Sequence, residues 1–85
     1  MKIYVCTDIW QFDSGDCGDS VKAFSTIDKA YKWLKQAIKD ANTDMKGLDT
    51  QHTEYREGDM AYSIWETDNY CYNHIDLCIQ ELEVE

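Results

Sequence analysis

One stretch of this chain limits its fold more than any other. Between Ser25 and Asp44 the apolar residues fall at Ile27, Ala30, Tyr31, Leu34, Ala37, Ile38 and Ala41. Spacings of three and four place them on one face of an α-helix. Ser25 followed three residues later by Asp28 has the pattern of a capping box, which predicts a helix start there. Asn42 and Thr43 weaken the helix near Ala41 to Asp44. Lys29, Lys32, Lys35 and Lys39 take the rest of the circumference, with Trp33 at the border of the apolar face. One amphipathic helix cannot bury its own apolar face, so the remaining residues must supply a surface for it.

Those residues read as strands. Residues 2–7 are β-branched and aromatic, with Ile3 and Val5 facing one way and Tyr4 and Cys6 the other. Residues 8–20 are rich in turn formers, namely Asp13, Ser14, Gly15, Asp16, Gly18 and Asp19, and predict a solvated hairpin loop. Trp10 and Phe12 within it either cap the core or face a partner. Residues 21–24 form a short second strand. Residues 42–58 read as a loop, with a short strand over His52 to Arg56. Residues 59–67 alternate, Met60, Tyr62 and Ile64 against Ala61, Ser63 and Trp65, and Asp68-Asn69 signals a turn. Ile75, Leu77 and Ile79 then alternate with Asp76, Cys78 and Gln80, and a slip at Gln80-Glu81 predicts a bulge. The expected fold is a single α+β domain over residues 1–85, in the order ββαββ. One helix packs on one face of an antiparallel sheet of four or five strands.

A chain of 85 residues buries roughly 60% of its unfolded surface, so its core is thin. Six Tyr, three Trp and two Phe are enough to fill it without a metal or a disulfide framework, and no cofactor is expected. The net charge of −9 repels phosphate backbones and argues against direct nucleic-acid binding. The charge is also unevenly placed. Residues 1–39 carry six lysines and five aspartates, net +1, while residues 40–85 carry twelve acids against Lys46 and Arg56, net −10. Asp8 interrupts the first apolar run, which argues against a secretion signal, and no run approaches the ~20 residues of a membrane span. A cytoplasmic protein is expected.

Residue types capable of chemistry are sparse. Without a secretion signal, Cys6, Cys17, Cys71 and Cys78 are expected as free thiols, Cys6 and Cys78 packed as small hydrophobes. Cys71 and His74 have C-x-x-H spacing, and Cys17 and His52 would complete a set of four zinc ligands, but the spacing matches no standard zinc module. The aspartates from Asp13 onward fail the calcium-loop test, because Phe24 stands where a bidentate Glu is required. Only His52 and His74 are of the residue type that can act as acid or base near neutral pH without a large shift, and a Cys71–His74 pair three residues apart on a turn is a poor nucleophile and base. No catalytic residues are assigned, and a non-enzyme is expected.

Met1-Lys2-Ile3-Tyr4-Val5, followed after a loop by Phe24-Ser25-Thr26-Ile27-Asp28-Lys29-Ala30, resembles the start of small uncharacterised proteins of phages and prophages. The acidic end, Ile79 to Glu85, is similar to theirs. The resemblance covers residues 1–40 and the tail, and implies a ββαββ fold and a mobile-element origin in a bacterial host cell.

Charge and resemblance together point to a protein that inhibits a host nucleic-acid-handling or defence protein, of the anti-CRISPR or anti-restriction type. Carboxylates spaced along a surface imitate a row of phosphates and occupy a basic groove. The candidate contacts are Asp44, Asp49, Glu54, Glu57, Asp59, Glu66 and Asp68, with Tyr55, Trp65, Tyr70 and Tyr72 as aromatic anchors. The bland reading is that acidity serves solubility. The alternative function is a small self-associating accessory protein, a homodimer paired through edge strands or through its basic helix and acidic half.

Overall fold

A computed structural model describes residues 1–67 and 73–84. Strands β1 (Lys2–Gln11) and β2 (Cys17–Phe24) form a hairpin, and helix α1 (Ile27–Asp44) follows. Strands β3 (Thr50–His52), β4 (Ala61–Glu66) and β5 (His74–Glu83) complete an antiparallel sheet in the order β2-β1-β5-β4-β3. The fold is α+β, with α1 on one face of a five-stranded sheet.

The side-chain alternation of the strands decides what α1 meets. Cys6 of β1 lies opposite Ile79 of β5, and Ile64 of β4 opposite Ile75. Leu77 lies between those isoleucines on β5, and Tyr62 of β4 stands opposite it. These side chains are buried with Ala30, Leu34, Ala41 and Met45 from the helix side. Burying Leu34 alone contributes about 1.5–3 kcal/mol. Met45 caps the C-terminus of α1, one turn past Ala41, so the 3.6-residue stripe continues one residue beyond the helix. The opposite sheet face carries Ile3, Val5 and Ile9 of β1, Val21 of β2, Trp65 of β4 and Leu82 of β5.

The structure moves several boundaries. The loop expected over residues 8–20 shrinks to residues 12–16, because β1 is paired on both sides and the ladder overrides local turn preference. Gly15 N–H donates to Phe12 O at 3.0 Å, and Phe12 N–H to Asp16 O at 2.8 Å. Gly15 takes a φ of +92°, the left-handed residue that closes a turn into a glycine bulge. The helix cap is Thr26 rather than Ser25: its Oγ1 accepts from Lys29 N–H at 3.3 Å in an extended backbone. That conformation suits a β-branched residue, and it starts the helix at Ile27, which packs against the core.

The short strand in the 42–58 region is Thr50–His52, where Thr50 stands opposite Glu66 and His52 opposite Ile64. No bulge interrupts β5; its register with β1 runs unbroken from His74 to Glu83. The apolar pattern changes sides because core burial on the helix side ends at Ile79. Leu82 belongs to the opposite face, and Glu81 takes the helix-side position, where it pairs with Lys2 at 3.5 Å and accepts from the Tyr4 hydroxyl at 3.3 Å. Cys6 is buried as expected, but Cys78 is exposed, one residue out of phase with Leu77 and Ile79.

Candidate functional site

Alternation along β1 puts Asp8 and Trp10 on the same side as buried Cys6. Their β2 neighbours in register are Ser20 and Gly18, with Lys22 opposite Cys6. On α1, Trp33, Gln36, Ala37, Asp40 and Asp44 recur at three and four residues and form one flank of the helix, beside its buried stripe. Between this flank and the β1–β2 hairpin lies a cleft of about 520 Å3, whose lining also includes Phe12, Asp16 and Ile75. Its walls hold three aromatic side chains, Trp10, Phe12 and Trp33. Among the described residues, four carboxylates, Asp8, Asp16, Asp40 and Asp44, share it with the single cation Lys22.

Two local features shape the cleft. Gly18 stands opposite Trp10 and lets the indole lie across β2, since a Cβ there would come within 2.8 Å of the indole Cζ2. Gln36 Nε2 donates to Asp40 Oδ1 at 3.0 Å, one turn along the helix. Asp8 is the unusual member. Its Oδ1 is shielded from solvent and has no hydrogen-bond partner among the described residues. Burial pushes its carboxyl above the usual aspartate range, and the charge of Asp44 adds to the shift.

The carboxylates expected to contact a partner do not gather here. Among the described ones, Asp44 alone lines the cleft. Glu54, Tyr55, Glu57 and Asp59 belong to the segment between β3 and β4, which is tied to the opposite flank of α1. There Lys35 Nζ meets Glu57 at 2.9 Å and the Tyr31 hydroxyl donates to Gly58 O at 3.3 Å. Arg56 N–H donates to Asp59 Oδ2 at 2.9 Å, and the Arg56 guanidinium lies 3.7 Å from Glu54. Tyr55 packs against the core, and burial pushes its phenol up. Asp49 O accepts from Thr67 N–H at 2.8 Å, and Glu66 accepts from Asn73 Nδ2 at 2.6 Å. Trp65 is half-buried on the sheet face away from α1. Asp68, Tyr70 and Tyr72 lie outside the described residues.

The four residues weighed as zinc ligands do not assemble where they are described. Cys17 is exposed at the start of edge strand β2, two strands from His74 across Gln11. His52 is on the opposite edge strand, where its ring stacks on Tyr62 at 6.0 Å. Cys71 lies outside the described residues. The cleft residues Asp8, Asp16 and Asp40 were not legible as a site, because Asp8 and Asp16 read as strand-breaking and turn residues and Asp40 as helix surface. The spacing of Trp33, Gln36, Asp40 and Asp44 was the available signal.

A second, shallower depression of about 630 Å3 runs along the outer surface of α1. It lies between Phe24, Trp33 and the stems of Lys29, Lys32, Lys35 and Lys39. The acidic cleft and this basic surface therefore adjoin at Trp33 and Gln36. No family model matches the chain, and neither a curated protein nor a solved structure does.

Proposed function

We propose that this protein is a non-enzymatic binding protein whose acidic surface occupies a basic site on a nucleic-acid-handling partner. The observation that supports the reading is the cleft: four carboxylates and three aromatic side chains converge there against one lysine. Carboxylates in a cleft attract a basic partner and speed its encounter, while the aromatic rings supply contact area. The resemblance to small phage proteins makes a host defence nuclease or a related enzyme the preferred partner class, and inhibition by occlusion the preferred mechanism.

The test is capture of partners from a lysate of the cells that encode the protein, at low and high salt, with and without added DNA or RNA. Recovery of a nucleic-acid enzyme that salt and nucleic acid both displace is expected, with recovery reduced at least tenfold by the double change Asp40→Asn and Asp44→Asn. A partner retained at high salt and indifferent to nucleic acid would refute the reading.

One observation favours a second reading, self-association. Opposite charges adjoin at Trp33, so two copies related by a two-fold axis could each set the lysine surface of α1 against the partner's cleft. Sedimentation of the pure protein separates the two: a salt-sensitive dimer supports self-association, and a monomer at all concentrations removes it.

A further inference from the structure

We infer that the cleft between α1 and the β1–β2 hairpin is a binding site for an organic cation, a guanidinium or alkylammonium group, seated against Trp10 and Trp33 and paired with Asp8. This rests on the proposed acidic binding function and deepens it by naming the chemical group the cleft accepts.

The cleft's volume of about 520 Å3 lies within the range of small-ligand sites. Its lining is of two kinds. Indole faces attract cations through their quadrupole, most strongly when water is excluded, and carboxylates supply the formal charge. Asp8 joins the two. Its Oδ1 is shielded from water and accepts no hydrogen bond from the described residues, a state that costs free energy unless a donor arrives. Lys22 does not supply that donor: it lines the same cleft, yet it forms no ion pair with the carboxylates there. A neutral donor would satisfy the Asp8 oxygen but leave the charge of the four carboxylates uncompensated, and an anion would add to it, so the walls favour a cation with N–H donors. Planar guanidinium and slender alkylammonium groups both meet that requirement; a basic side chain of a protein and a free polyamine are the two sources.

The experiment is an NMR titration of the full chain with arginine amide and, separately, spermidine, at constant ionic strength. The indole N–H signals of Trp10 and Trp33 are expected to shift with a common saturation curve while that of Trp65, on the other sheet face, stays still. Asp8→Asn is expected to weaken binding at least tenfold, and Asp44→Asn serves as a second variant should the first perturb the fold. Lys22→Ala is expected to tighten binding severalfold, since it removes a like charge. Spermidine more than tenfold tighter than arginine amide assigns the site to free polyamines, and comparable affinities assign it to a protein side chain.

Indole shifts that are absent, that include Trp65 equally, or that survive both aspartate changes overturn the inference. Its failure is distinct from failure of the binding function: salt-sensitive partner capture that persists without cation binding in the cleft keeps the acidic-surface reading and removes only this site.

Discussion

Asn73 holds Glu66 across the β4–β5 end of the sheet: its Nδ2 donates to a Glu66 carboxylate oxygen at 2.6 Å. The same side chain reaches the hairpin, since Asn73 Oδ1 accepts from Asp13 N–H at 3.2 Å. Asn73 is the buried polar residue among the described ones, and Glu66 N–H closes the link by donating to Asn73 O at 2.9 Å. One amide therefore joins the β1–β2 turn to the β4–β5 end of the sheet.

Removing that amide takes one donor from the half-buried Glu66 carboxylate and the acceptor from Asp13 N–H. Asn73→Ala is expected to cost about 2 kcal/mol. Asn73→Asp should cost more at pH 7 than at pH 4, because it sets a second carboxylate against Glu66. Urea melts at the two pH values read both effects.

The helix cap gives a paired comparison. Thr26→Ala removes the oxygen that accepts from Lys29 N–H and is expected to cost about 1 kcal/mol. Ser25→Ala, one residue earlier, should fall within about 0.5 kcal/mol of the parent. Equal losses in thermal melts would place the cap at Ser25 instead.

Thiol reactivity follows burial. In a Cys71→Ser background, Cys17 and Cys78 are exposed and should label rapidly with a thiol reagent under native conditions. Cys6 is fully buried, and desolvation pushes its thiol up, with Cys78 adding to the shift, so it should label only as the chain unfolds. Mass spectrometry over time is expected to show two fast additions and one slow one.

Asp8 makes the folded state less tolerant of its own charge. Its carboxyl is raised in the fold, so the native state holds the proton more tightly than the unfolded chain does. Its contribution to stability is then greatest below the unfolded value of about 3.8 and is lost as pH rises through the folded value. The groups around it are Asp40 and Asp44 of α1, Asp16 of the hairpin and Lys22 of β2. Asp8→Asn is expected to stabilise the protein at pH 7 by about 0.5 kcal/mol, or ~2–4 °C in Tm, and to flatten the acid side of its pH–stability profile. A lower Tm for the variant at pH 7 would contradict this account.

Gly18 carries a separate prediction. Gly18→Ala puts a Cβ against the Trp10 indole, which must move by several tenths of an ångström. The expected result is a stability loss of about 1 kcal/mol, a shifted Trp10 indole signal and weaker cation binding in the cleft.

The helix, the faces of β4 and the inward side of β5 up to Ile79 were determined by periodicity, because side chains on one face must share one environment. So was the fold class: a single amphipathic helix among alternating strands has few ways to bury its apolar face. Local preference failed where pairing partners intervened. Residues 8–11 and 17–20 were expected within a loop rich in turn formers such as Gly18 and Asp19, yet they are strands, because β1 finds hydrogen bonds on both sides at once. The bulge expected at Gln80-Glu81 was a change of environment along an unbroken strand.

The charge asymmetry was also plain in the sequence, but its meaning was not. Linear counting gathered acids from residues 44 to 68, whereas the fold ties Glu57 to Lys35 and gathers Asp8, Asp16, Asp40 and Asp44 instead. Asp8 and Asp44 are 36 positions apart in the chain. Only the packing of α1 beside the hairpin brings them to one cleft, since a helix fixes neighbours within one turn and a strand within one ladder. Tertiary packing alone decides which helix flank faces which strand.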